Sequence, residues 1–302
     1  MMAFLVEEKL ALPPPVLERR RSQSPLNLRP KSPGADDATI VTVKGFFYEE
    51  IDEQRAVGPM AAYCFMTGFL NAVCFSGIFA WCASQTGNTI QLSIALGRLL
   101  DDEPDLAFRI ADRLALTSLL SFVAGGFIGR LGKRVGYSTR IWMACGTLIQ
   151  TLFTMAATIA IWKSKALSYG PMTSGPVWTT PLAFLGYGFM SASMGLQGVM
   201  AKRFNTQFST SVVLTSIWCE LISEPELFHL RRWVVERDHK LLTIGFMLLG
   251  GFAGRCLIDE IGSVFTLAIA TGLRLIISGW WLMIPKKIER KFDGEEDEPF
   301  SK

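Results

Sequence analysis

Six long apolar runs, at about residues 59–82, 112–130, 141–162, 178–200, 240–257 and 262–284, set what this chain can fold into. Each is long enough to cross a hydrocarbon layer of about 30 Å as a helix rising about 1.5 Å per residue. In lipid every backbone N–H and C=O must bond within the protein, so runs of this length predict helices, and the chain is expected to be an all-α, polytopic membrane protein. Of its 302 residues 50% are hydrophobic, with a mean hydropathy of +0.31.

The charges agree with that reading. Lys+Arg 30 against Asp+Glu 27 leaves a net charge of +3, and almost all of these groups lie in the tails or between the runs. No nucleic-acid partner is expected from so even a balance. Cys64, Cys74, Cys82, Cys145, Cys219 and Cys256 lie mostly in or beside apolar runs and form no Cys-x-x-Cys pair. His229 and His239 share one polar connection without a ligand-spaced cysteine or carboxylate pair, so neither a metal nor another cofactor is expected. The spans hold no His-Glu-x-x-His and no paired aspartates, and Ser191, Ser193 and Ser216 have no visible intramembrane base. An enzyme is therefore not expected.

The runs are organised as a duplication. Gly125-Gly126-Phe127-Ile128-Gly129-Arg130 recurs as Gly250-Gly251-Phe252-Ala253-Gly254-Arg255, 125 residues later, and Gly68-Phe69-Leu70-Asn71 is answered by Gly195-Leu196-Gln197-Gly198 at an offset of 127. Repeat one is placed at 58–162 and repeat two at 178–285. Gly125, Gly126 and Gly129, like Gly250, Gly251 and Gly254, are read as structural glycines that let helices approach closely. Arg130 and Arg255 at the ends of these runs are expected to snorkel or to pair with carboxylates such as Glu220.

Two further runs, 88–100 and 209–222, occupy equivalent places in the two repeats but would extend only about 20 Å as helix, so they read as broken or re-entrant helices. The basic segment 130–140 falls on the same side as Lys202, Arg203, Arg231, Arg232 and Lys286-Lys287 if neither short run crosses, which makes that side cytoplasmic. Asp101-Asp102-Glu103-Pro104-Asp105 and the Asp259-Glu260 turn then lie outside, with both termini inside. Three spans per repeat is an odd number, so the expected fold is six transmembrane helices in an inverted 3+3 repeat with the two short helices meeting near the midplane. Residues 1–57, with Pro13-Pro14-Pro15 and Arg19-Arg20-Arg21, read as a disordered cytoplasmic tail, and 286–302 as a charged cytoplasmic tail.

Gly68-Phe69-Leu70-Asn71-Ala72-Val73, Gly77-Ile78-Phe79, the box Thr86-Gly87-Asn88-Thr89 and, in the second half, Gly195-Leu196-Gln197 carry a resemblance to the YoaK-like family of bacterial and fungal membrane proteins over about residues 60–285. The resemblance implies a multi-pass membrane protein and supplies no substrate, the family's function being poorly defined. Where that family usually has an acid in its first span this chain has Asn71, and Ser209-Thr210-Ser211-Val212 stands where a Thr-Gly step is common. A neutral amide exchanges no proton near pH 7, so any transport is expected to be facilitative or coupled through Glu220, the one acid near the apolar stretch of either short run.

The candidate ligand-binding residues are Asn71, Thr86, Gly87, Asn88, Thr89, Gln91, Gln197 and Glu220, polar groups that need partners in apolar surroundings. Thr86, Asn88 and Thr89 have a second reading as helix caps, with Gly87 easing a turn. The function that follows is an integral membrane protein, with the lipid bilayer as its surroundings and a small solute as candidate ligand, acting as secondary transporter or facilitator. The alternative is a non-transporting membrane scaffold or regulatory protein.

Overall fold

The computed structural model describes residues 45–101, 108–169, 175–204, 214–228, 232 and 234–287. Expectations for residues 1–44, the acidic loop beyond Asp101, Ser209-Thr210-Ser211-Val212, His229 and 288–302 fall outside the described residues.

Helix α1 (Val57–Ile78) carries Pro59 in its first turn, where a missing N–H costs nothing, and stops at Phe79, whose φ of 55° is left-handed. It is followed by α2 (Gln85–Gly97) and α3 (Ile110–Gly129), the latter opened by the Asp112 carboxylate accepting the Arg109 N–H at 2.9 Å. Thr139 caps α4 (Arg140–Ser164) by accepting from the Trp142 N–H. Next come α5 (Pro181–Phe204), α6 (Leu214–Ile222) and α7 (Val235–Met283). The 49 residues of α7 are divided at Gly262, where φ 78° and ψ 167° interrupt the helix. The Ser168 hydroxyl accepts the Ser263 N–H at 3.0 Å and so caps the second arm from another segment. The chain turns there, just past the Asp259-Glu260 turn expected from sequence, because only glycine accepts this backbone without strain.

Val57–Ile78, Ile110–Val135, Arg140–Ser164 and Val235–Met283 are each long and apolar enough to cross a membrane. Burial is inverted relative to a water-soluble bundle. Thr67, Thr147, Gln150, Thr154, Ser191 and Gln197 are buried, whereas Leu120 (62% exposed), Phe127, Leu248 and Phe252 (69%) face outward. The protein is an all-helical integral membrane protein among the described residues, with many of its polar groups buried inside and large apolar groups turned outward.

The helices pair across the two repeats. A Cβ on Gly68 of α1 would fall 1.9 Å from the Met247 carbonyl oxygen of α7, and one on Gly250 would fall 2.0 Å from that of Phe65. At the repeat offsets, a Cβ on Gly195 of α5 would fall 2.0 Å from the Phe122 oxygen of α3, and one on Gly125 1.9 Å from that of Ala192. Contacts advance together along each pair, so α1 runs parallel to the first arm of α7, and α3 parallel to α5. The second arm runs antiparallel to α4, with Ser278 donating to the Ala144 carbonyl and Thr158 beside Thr271.

Helix ends collect at two places. At one, Ile51 donates to Ser138, Lys287 to Glu50, and Arg140 to the Ile284 carbonyl and the Glu49 carboxylate. Residues 45–57, expected to belong to the disordered tail, are therefore folded against the bundle, with Ile51 fully buried. At the other end, Val177 donates to Gly77 and the Trp178 indole to Leu167.

Candidate functional site

The site begins with the return of the chain after α1. Past Phe79 the backbone doubles back until Ala83 donates its N–H to the Asn71 side-chain oxygen at 3.2 Å, with the Cys82 thiol on the same oxygen at 3.4 Å. Asn71 thus holds the entry to α2 well below the end of α1. From there α2 climbs along α3. The Ser118 hydroxyl accepts from Gln85 (3.2 Å) and Asn88 (2.9 Å) and pairs with Ser191 of α5. Near its other end Gln91 donates to Asp112 at 2.8 Å, and Arg98 forms an ion pair with this wholly buried carboxylate. The Arg109 N–H adds a third donor to Asp112, so the buried charge is well satisfied.

A cavity of about 870 Å³ opens where α2 begins. Thr67 and Asn71 of α1, Thr86 and Gly87 of α2, Thr215 of α6 and Arg255 of α7 are among its walls. The first turns of both short helices therefore face one space. Ser84 precedes α2 without a side-chain capping bond, Thr89 bonds back to the Gln85 carbonyl, and Asn88 turns to Gln85 and Ser118. Capping, one of the two readings of the Thr86–Thr89 box, is thus not what Asn88 or Thr89 does. Arg255 pairs with Asp259 at 2.9 Å and lies over the Tyr169 ring, rather than meeting Glu220.

Of the residues singled out from sequence, Asn71, Thr86 and Gly87 line the cavity. Asn88 and Gln91 are spent on Ser118 and Asp112. Thr89 and Glu220 are exposed and outside the lining. Gln197 is buried one layer further in, donating to Thr67 at 2.8 Å and to the Tyr63 carbonyl at 3.1 Å. Its oxygen accepts from Arg274, a residue that the sequence reading passed over.

Arg274 is fully buried on the second arm of α7. It donates to the Gln150 oxygen and, at 3.3 Å, to that of Gln197, while its Nε has no partner. Tyr63, Thr147 and Trp281 complete the polar core around it, the tyrosine hydroxyl bridging the threonine hydroxyl and the indole N–H. The signal was present in the sequence as a lone arginine inside the last apolar run, since an ionisable group at membrane depth marks function by default.

A family model described as protein of unknown function (DUF1275) matches residues 60–280. The chain belongs to this family. No curated protein and no solved structure matches it. The DUF1275 match starts in α1 and ends in the second arm of α7, so it spans the cavity, both short helices and Arg274.

Proposed function

We propose that this DUF1275 protein, a YoaK-like member by its motifs, crosses the membrane six times as an inverted 3+3 repeat. In this reading it passes a small solute through the cavity between α2 and α6 as a facilitator. The observation that carries it is the meeting of the two short helices, from equivalent places in the duplication, at one cavity beside α1 and α7. Parallel pairing of α1 with the first arm of α7 and of α3 with α5 supports inversion, because equivalent helices in the two halves then run in opposite directions. Helix α5 turns Gly186, Ser191, Gly195 and Gln197 into the protein. At 24 residues it still reaches about 36 Å, at about 1.5 Å per residue.

Proton coupling has little to act on. Among the described residues no carboxylate lines the cavity, Asn71 is neutral, and Glu220 stands outside the lining. Equilibration down a gradient is the mode these residues support.

The experiment is a thermal-shift screen of the full chain in detergent against carboxylates, amino acids, polyols and amines. At a concentration 100 times Kd, a ligand bound only by the folded protein stabilises it by about 2.7 kcal/mol. Gly87 has open space around its Cβ position, so Gly87→Trp fills the cavity while keeping the fold. A stabilising solute should lose its effect in that variant. A screen in which no class stabilises the parent overturns the solute reading in favour of the scaffold.

A further inference from the structure

The charge of Arg274 is uncompensated. Among the described residues no ion pair includes it, and its partners are two neutral amide oxygens. A guanidinium stays protonated in proteins, and burying it without a counter-ion is costly, so its place in the core calls for a compensating role. Two side chains, Gln197 and Thr67, link Arg274 to the cavity. Gln197 accepts from Arg274 with its oxygen and donates with its nitrogen to the Thr67 hydroxyl, and Thr67 lines the cavity.

Among the described residues the lining contains no carboxylate, its charged member Arg255 is paired with Asp259 at 2.9 Å, and the first turn of α2 enters it with Ser84 making no side-chain capping bond. Apolar surface stands beside these donors, with Phe75 and Trp81 stacked at 4.3 Å on one wall and Met247 and Phe252 on another.

We propose that the solute is a small organic anion of the carboxylate class, selected by the field of Arg274 acting through Gln197 and Thr67 and received at the start of α2. The proposal rests on the cavity being a solute site. Arg274 here is a positioning and selecting residue that does not itself touch the solute. In the low dielectric of the bundle its charge reaches across the short distance to the cavity, favouring an anion over a neutral molecule of the same shape.

The test uses isosteric pairs on the full chain in detergent at fixed ionic strength: acetate against acetamide, lactate against lactamide, with ethylammonium as the cation. Carboxylates should raise Tm and their amides should not. In Arg274→Gln, which keeps a hydrogen-bonding side chain, the apparent Kd for the carboxylate should rise about tenfold or more, equivalent to about 1.4 kcal/mol. A purely structural Arg274 would shift the ligand-free Tm and leave the carboxylate-to-amide ratio intact, which overturns the proposal. Amides or ethylammonium stabilising as well as carboxylates also overturns it while leaving the cavity reading standing. No stabilisation by any of them, or by the wider screen, removes both. Should Arg274→Gln fail to fold, Gln197→Leu, which breaks the path from Arg274 to Thr67, should lower the carboxylate-to-amide ratio, and an unchanged ratio overturns the proposal.

Discussion

At the scale of single residues, the two glycine pairs that touch a foreign backbone bear the closest packing in the molecule. A methyl group on Gly68 or Gly195 would have to occupy the place of a carbonyl oxygen on the partner helix, whereas one on Gly126 or Gly251 meets its nearest atom at 3.6 or 3.7 Å. Gly68→Ala and Gly195→Ala are therefore expected to destabilise by about 1–3 kcal/mol, the usual range for forced overpacking. Gly126→Ala and Gly251→Ala should stay within about 0.5 kcal/mol of the parent. Thermal unfolding of the four variants in one detergent checks the contrast, and equal effects across all four would contradict it. The repeated motif made these glycines visible in sequence, but not which member of each motif meets a neighbour. That distinction depends on helix rotation, which the spacing of small residues leaves open. Arg274 was hidden for another reason: its partners Gln150 and Gln197 lie on other helices, so nothing near it in the chain signals burial.

At the scale of elements, α2 is held in place by polar contacts more than by apolar burial. Among its residues only Asn88 and Ala95 are buried, while Ile90, Ile94 and Leu96 are exposed. Its attachment to α3 depends on Ser118 at one end and Asp112 at the other. Replacing Asp112 by Ala leaves Arg98 without its carboxylate, and removing one partner of a buried pair costs about 3–5 kcal/mol. Hydrogen exchange should rise through Gln85–Gly97 in that variant and stay unchanged in α4, and uniform loss of protection would count against a locally fastened helix. The sequence showed that this run is too short to span, which follows from length alone. It did not show where its amides go, because the hydroxyl and the carboxylate that accept them lie 30 and 21 residues further along the chain.

At the scale of the whole molecule, the proposed six-span arrangement would place Asp101 outside and Lys133 in the cytoplasm. With the native cysteines replaced, cysteine at position 101 should react with an impermeant maleimide on intact cells, and cysteine at 133 only after permeabilisation. Identical accessibility at both positions would mean that an even number of crossings separates them. The bundle itself was legible because run length, glycine repeats and charge bias are one-dimensional signals. The exchange of partners between repeats was not, since periodicity identifies a face without naming what covers it.

That exchange has a consequence for biosynthesis. Helix α1 leaves the ribosome before the other long helices described, yet the backbone that its Gly68 fits against belongs to Met247 of α7. Helix α3 meets α5 soon after it is made, but α1 must wait in the bilayer with its glycine face uncovered until α7 has been inserted. Premature termination anywhere before α7 would leave that face without its mate, exposing backbone that the finished chain keeps covered.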